Sequence, residues 1–441
     1  MACSQKSDSS KFFKLLGSLS GKYPQKNLNQ PITFNNRTYT AHKDIAKHFC
    51  RQFTSNSNHS HNTETRKIIR KMHRKHPLYL DLSPFTPELL IFHLKKSGNS
   101  TATGPDGMTI RHLKHLGPLG LNYLYTLFNL SLSHANLPAI WKRANIIVLP
   151  KPGKPKDSGT SYRPISLLCP ASKLLERLMQ ERIKAHLHLA ESQHGFRTGR
   201  STTTALLPLT HQIIKGFNEK SPPSRTIAMA LDFSKAFDTV NHTSLLKQLL
   251  NTTLDNNSIR WLSTYLRGRT AAVTYLDTTS KQRIIKTGVP QGSVLSPLLF
   301  NFYMSDFPPT SLQHASYADD FTSWASSTDV ATAAEILTGH DADVAGWASG
   351  KDLQISTQKS TATLFTSENR QSQLNPDITL NSHPLPLDRR PKILGVTFDT
   401  HLTFSPHINS KSEKATCLLC ILKFLARLEL GTTERNPCFY L

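Results

Sequence analysis

The sequence predicts an α+β fold, with a mainly antiparallel sheet backed by helices. Three observations lead there. Thr226 to Asp232 reads TIAMALD, an apolar run of strand length that ends in an acid. His314 to Tyr317 and Phe321 to Ala325 alternate roughly between apolar and polar residues around Tyr317-Ala318-Asp319-Asp320, which reads as a hairpin. Leu119 to Leu132 and Ala171 to Leu189 place their leucines and isoleucines at helical spacing.

Taken in order, residues 1 to 75 read as a basic leader and linker, polar and turn-rich from Thr54 to Thr65, with a short helix over Thr40 to Phe53. Thr86 is the N-cap candidate of a helix in FTPELLIFHLKKS; Pro87 suits its first turn, and Leu89, Leu90 and Leu94 line one face. Ala144 to Leu149 is rich in β-branched residues and reads as a strand entering the turn KPGKPKDSG. Thr270 to Leu276 and Gln282 to Lys286 read as paired strands. Leu295 to Phe307 and Asp341 to Ala348 read as helices, Lys392 to Phe398 as a final strand, and Ser410 to Leu428 as an amphipathic helix.

Composition narrows the function classes. The 441 residues allow two or three domains. No apolar run approaches the ~18 residues of a membrane span, and the N-terminus lacks the apolar core of a signal peptide. The expectation is an intracellular protein of nucleus or cytoplasm, not a secreted one. The formal net charge is +23, with 53 Lys and Arg against 30 Asp and Glu, so a polyanionic partner is expected. About half the excess lies in residues 1 to 75, which hold 15 basic and 3 acidic residues. The six cysteines are scattered, and disulfides are not expected. Cys417 and Cys420 have CxxC spacing but lie in an apolar helical run with no second pair, which argues against zinc. His59, His61, His73 and His76 sit in a polar basic stretch suited to solvent or RNA.

The chemistry is carried by carboxylates. An Asp-Asp pair in a hairpin is most often a solvated turn. A strand that delivers Asp232 beside Asp319 and Asp320 changes that reading, because three acids together repel unless a hard cation neutralises them. Two such cations can clamp the attacking and leaving oxygens of an in-line phosphoryl displacement.

Eight segments in order then resemble the reverse transcriptase of a non-LTR (LINE-type) retrotransposon of the jockey-like group. They are GPDGMTIRHLKHL from Gly104, KPGK with SYRPISLL through Arg163, QHGFRTGRSTTTAL from Gln193, and ALDFSKAFDTVNH around Asp232. GVPQGSVLSPLLFNFYMSDF from Gly288, YADD, a lysine-bearing segment near Lys359 and KILGVTFD from Lys392 complete the set. The resemblance implies a right-hand polymerase fold with palm, fingers and a truncated thumb. It divides the chain into fingers and N-terminal polymerase (76–225), palm (226–398) and partial thumb (399–441).

It further implies an RNA-directed DNA polymerase that takes an RNA template, a DNA primer or target, dNTPs and Mg²⁺, with Mn²⁺ as a substitute. Asp232 and Asp319 would contact both metals and Asp320 would support them. Phe237 falls at the steric gate against a ribose 2′-OH, and Asp238 beside it is read as structural. Lys151 and Arg163 match the triphosphate-binding residues of the fingers. Gln291 and Gly292 match the motif lying against nucleotide and template, and Lys359 matches a lysine that protonates the departing pyrophosphate. Arg197 and Arg200, in GFRTGRS, suit template-backbone contact. An endonuclease segment before Gly104 and a full thumb after KILGVTFD are not seen, so a catalytically impaired nucleic-acid-binding relic is the alternative expectation.

Overall fold

The computed structural model describes residues 31–54, 67, 68, 70, 84–308 and 312–430, the side chains of 424–430 excepted. In chain order, β1 (Ile32–Phe34) and β2 (Arg37–Tyr39) form a hairpin leading into α1 (His42–Thr54). Helices α2 (Pro87–Lys96) and α3 (Pro118–Ser133) precede β3 (Arg143–Pro150) and β4 (Tyr162–Leu167). Helices α4 (Pro170–Lys184) and α5 (Thr202–Phe217) lead to β5 (Arg225–Asp232), followed by α6 (His242–Leu250) and α7 (Asn256–Leu266). Strands β6 (Arg269–Tyr275), β7 (Thr278–Thr279) and β8 (Arg283–Ile285) come next, then α8 (Ser296–Tyr303). The pair β9 (Gln313–Tyr317) and β10 (Asp320–Ser327) precedes α9 (Val330–Gly339) and α10 (Asp341–Gly350). Strand β11 (Thr361–Phe365) and the long α11 (Ser405–Leu430) follow.

The first sheet, in the order β11-β5-β10-β9, is antiparallel throughout. Its centre, β5, is covered on both faces, which is why TIAMALD is nearly all apolar rather than alternating. Ile227, Met229 and Leu231 join the main core with Phe321 and Leu364, while Ala228 meets Leu209 and Ile213 of α5 with Trp324 and Phe365. The second sheet runs β4-β3-β6-β7, with β8 also paired to β6. There β3 and β6 are parallel and the other pairings antiparallel.

Local sequence explains most of these elements. Thr86 caps α2, its side chain accepting from Leu89 N–H at 3.3 Å, with Pro87 in the first turn as expected. The expected pairing of 270–276 with 282–286 is present as β6 and β8. Within the segment expected as leader and linker, Ile32–Thr54 is folded instead onto the second sheet. Ile45, Ala46, Phe49 and Cys50 pack with Ile146, Val148, Ala271 and Val273, and Thr33 N–H donates to Asp157 C=O at 2.6 Å. Residues 55–66, and His59, His61, His73 and His76 with them or just after, lie outside the described residues.

Four expectations are corrected. Lys392 to Phe398 is not one strand but a tight hairpin of Lys392–Ile393 against Val396–Thr397, because Leu394 and Gly395 take positive φ of 47° and 87°. The helix expected to Leu189 stops at Lys184, and Leu187 packs from the segment beyond. The helix expected over Leu295 to Phe307 spans only Ser296–Tyr303. Finally, α11 buries no apolar face among its described side chains: every residue from Lys411 to Cys420 is exposed. Cys417 and Cys420 are free thiols there. Among the described residues, no helix is long and apolar enough to cross a membrane.

One buried acid ties the second half of the main core together. Glu176 of α4 is fully buried and accepts from Ser293 Oγ at 2.6 Å, Val294 N–H at 2.8 Å and Leu295 N–H at 3.3 Å. It thus holds the turn that starts α8. Glu176→Ala removes the acceptor of Val294 N–H and one partner each of Ser293 Oγ and Leu295 N–H, and should cost on the order of 3 kcal/mol in urea unfolding. An unchanged midpoint would show that the turn is held by other contacts.

Candidate active site

The register of β10 on β5 pairs Asp320 directly with Asp232, and β9 pairs Tyr317 with Asp320. Only Ala318 and Asp319 are therefore left in the turn. Ala318 has φ of 58°, a left-handed conformation that glycine usually supplies in a two-residue hairpin turn. An L-residue there costs about 1–2 kcal/mol, so the surroundings must impose it.

They do so through Gln193. This amide is 2% exposed. Its Oε1 accepts from Ala318 N–H at 3.0 Å and from Gly195 N–H at 2.8 Å, and its Nε2 donates to Ala318 C=O at 3.3 Å. Gly195 is needed because a Cβ there would lie 2.3 Å from Ala318 N, and Asn301 Nδ2 holds the Gly195 carbonyl at 2.6 Å. The 192–194 segment also bonds along β9, with Ser316 N–H donating to Ser192 C=O and His194 N–H to Ser316 C=O. The end of β5 is fixed on its other side, where Asp232 N–H donates to Ser360 Oγ at 3.1 Å and Ser356 N–H donates to Asp232 C=O at 2.8 Å.

A cleft of about 1060 Å³ opens in front of the turn. Asp232 and Asp319 line it together with Lys151, Arg163, Phe237, Gln291, Gly292 and Lys359. Eight of the residues singled out in the sequence thus share one cavity. Asp320, Arg197 and Arg200 do not line it. Arg197 and Arg200 both pair with Glu191, and Arg197 Nη1 also donates to Ala190 C=O at 2.6 Å, so these guanidinium groups hold their own loop.

Lys151 follows β3, and Arg163 lies on β4 directly opposite Leu149 of β3. Lys151 Nζ donates to Thr160 C=O at 2.8 Å. Burial, then Lys359 and Arg163, lower its pKa. Lys359 Nζ lies 3.3 Å from Asp232 Oδ2. Phe237 stacks on the buried Phe300 with centroids 4.1 Å apart. Gln291 Nε2 donates to Asp238 Oδ1 at 3.1 Å, and Gln291 C=O accepts from Ser166 N–H at 2.9 Å. Gly292, with φ of 111°, lets the chain pass where a Cβ would sit 2.6 Å from Ser166 C=O.

Charge in the cleft is uneven. Burial raises the Asp319 carboxyl, with Asp232 adding repulsion and Arg163 opposing it. Desolvation at the turn, then Asp319 and Asp232, push Asp320 up to about 6. Neither Asp319 nor Asp320 has an ion-pair partner among the described residues. Nor, among these, does any group of three His, Cys, Asp or Glu gather closely enough to hold an ion alone. Carboxylates that repel one another and face an open cleft fit Mg²⁺, which keeps several waters and takes its remaining oxygens from substrate phosphate.

A family model described as reverse transcriptase (RNA-dependent DNA polymerase) matches residues 149–398. This chain belongs to the reverse transcriptase family. The right-hand fold expected from the sequence goes with that membership, β11-β5-β10-β9 being the sheet that presents the acids. The chain is 32% identical over 369 residues to a probable RNA-directed DNA polymerase from transposon BS of Drosophila melanogaster, covering 81% of this chain and 40% of that protein. It is 32% identical over 339 residues to the corresponding protein of transposon X-element from the same organism, covering 75% and 37%. It is 31% identical over 347 residues to the polymerase of mobile element jockey from Drosophila funebris, covering 75% and 37%. The chain therefore spans about two fifths of the length of these relatives.

Gln193 and Ser360 are the residues that sequence reasoning missed. The motif beginning QHGF marked the segment, but nothing in it says which backbone the amide reaches. Gln193→Met keeps the length and removes the three hydrogen bonds. It should lower stability on the order of 2 kcal/mol in urea unfolding, whereas an unaltered midpoint would mean the turn holds without the amide. Asp238, read as structural, has its carboxyl pushed by burial from 3.8 to about 6. The folded state thus keeps this proton where the unfolded chain has lost it, so stability from this group falls as pH rises from 4 to 6. Asp238→Asn keeps an acceptor for Gln291, and its stability relative to the parent should improve by on the order of 1–2 kcal/mol between pH 4 and pH 7. A constant difference across that window would contradict the shift.

Proposed function

We propose that this chain is the polymerase part of a non-LTR retrotransposon protein, extending a primer 3′-OH with dNTPs on an RNA template. The observation that supports this most is the meeting of Asp232 and Asp319 with Lys151 and Arg163 in one cleft. Carboxylates and cations that line one cleft suit a nucleoside triphosphate, whose α-phosphate must be approached by a nucleophile while its β- and γ-phosphates are held.

Asp232 and Asp319, supported by Asp320, would hold two Mg²⁺ ions, with Mn²⁺ as a substitute. Those ions supply Lewis-acid stabilisation of the attacking and leaving oxygens. The primer 3′-oxygen gives up its proton to solvent and bonds to the α-phosphorus as the α–β phosphoanhydride bond breaks and pyrophosphate leaves. Lys151 and Arg163 bind the triphosphate, Arg163 through its forked donors. Lys359, held at the cleft by Asp232, is placed to give a proton to the departing pyrophosphate. Gln291 and Gly292 form the floor under the base and sugar, and the Phe237 ring, stiffened by Phe300, excludes a 2′-OH. Arg197 and Arg200 would reach template phosphate only by loosening their pairs with Glu191. The fingers and N-terminal part are assigned to 76–225, the palm to 226–398 with its catalytic sheet of β5 and β9–β11, and the thumb to 399–441.

The test is dNTP incorporation on primed poly(rA) with Mg²⁺. The Asp319→Asn, Asp320→Asn double variant should lose synthesis by at least about two orders of magnitude. No incorporation by the parent, with salt-sensitive RNA binding kept in both proteins, would instead favour a nucleic-acid-binding relic. Phe237→Ala should retain synthesis and lower the preference for dNTP over rNTP by roughly 10–100-fold. Undiminished selectivity would remove the ring from the gate.

A further inference from the structure

Among the described residues, Phe196 is the one aromatic side chain at the cleft that neither packs in a core nor is assigned a role. It is 58% exposed, and its backbone is left-handed with φ of 55°. A bulky residue in that conformation is uncommon and points to a constraint on where the ring sits. The ring meets Phe237 edge-on, with centroids 6.3 Å apart and planes at 87°, and Phe237 is in turn stacked on Phe300. Three aromatics therefore run from the core to the surface, and Phe196 is the outer one.

Phe196 also stands on a ridge. It lines the cleft of the acids and, with Pro297, a neighbouring groove of about 760 Å³. That groove carries Lys184 and His188, both exposed. Of its two acids, Glu191 is already paired with Arg197 and Arg200, leaving Glu181. Lys151 and Arg163, suited to a triphosphate, line the first cleft and not this groove. A strand that runs through the groove toward Asp232 and Asp319 must cross Phe196. Base–aromatic stacking on such a residue is tolerant of sequence, as copying any template requires.

We infer that Phe196 is the stacking platform for an unpaired base of the template strand as it enters the cleft. This deepens the polymerase reading by naming where the template lies. A nucleobase on Phe196 has two sources, the template and the incoming nucleotide, and these separate experimentally.

The full chain is titrated, without dNTP, with a fluorescent primer–RNA template whose first unpaired template nucleotide is either normal or abasic, and anisotropy reads the affinity. Removing that base should weaken binding to the parent roughly tenfold and leave Phe196→Ala nearly indifferent, since the base and the ring report one interaction. Phe196→Trp should restore the sensitivity. A Phe196→Ala protein that keeps the parent's circular dichroism and loses as much affinity on base removal overturns the inference. So does an effect of Phe196→Ala confined to the KM for dNTP, which would assign the ring to the incoming base. The measurement needs no synthesis. A parent that senses the abasic site yet incorporates nothing would sink the polymerase reading and leave the platform in place.

Discussion

The pairing of β5 with β10 and of β10 with β9 sets Asp320 opposite Asp232 and leaves Asp319 at the tip of the turn, and the other restraints of the site build on that register. Side chains alternate along a strand, so a slip of one residue would turn Asp232 to the opposite face and break up the acids. The register is held because both faces of β5 are packed, Ile227, Met229 and Leu231 on one side and Ala228 on the other. A slipped β5 would have to bury its acid where those apolar groups now sit, at several kcal/mol.

That packing supports an arrangement that is unfavourable in itself. Burial, with like charges adding to it, raises the carboxyls of Asp319 and Asp320, and Ala318 sits in a conformation that costs energy. Gln193, Gly195 and Asn301 restrain the turn from behind, and Ser356 and Ser360 restrain the end of β5. The second sheet contributes cations to the same cleft. The tension between repelling acids and fixed backbone leaves Asp319 and Asp320 without an ion-pair partner among the described residues, open to a cation, while Asp232 meets Lys359.

The aromatic and polar parts of the cleft depend on the same principle of support from a rigid neighbour. Phe237 takes its orientation from the buried Phe300. Gln291 is braced between Asp238 and the Ser166 backbone. Glu176, wholly buried, fixes the turn that follows Gln291 and starts α8. Each of these links joins segments more than fifty residues apart in sequence.

Local chemistry was legible. TIAMALD read as a strand ending in an acid, Thr86 with Pro87 read as the start of a helix, and β6 with β8 followed from two short β-prone runs. Phe237, Gln291, Lys151 and Arg163 were singled out because the family resemblance marks their positions, and they meet at one cleft. KILGVTFD misled because its apolar run conceals a left-handed pair at Leu394 and Gly395, which a non-glycine residue does not advertise. The helix Ser405–Leu430 has apolar residues but no described partner to bury them, and periodicity does not report a partner. Arg197 and Arg200 have the composition of a phosphate site, yet Glu191, a few residues upstream, takes their charge. The sequence by itself thus determined the strand TIAMALD, the hairpin around YADD, the helix that opens at Pro87 and the family. Only the tertiary structure decided that an amide at Gln193 would grip the turn at Ala318, and that Phe196 would stand between two grooves. Side-chain hydrogen bonds and exposed ridges are made by segments far apart in the chain, and no local period encodes them.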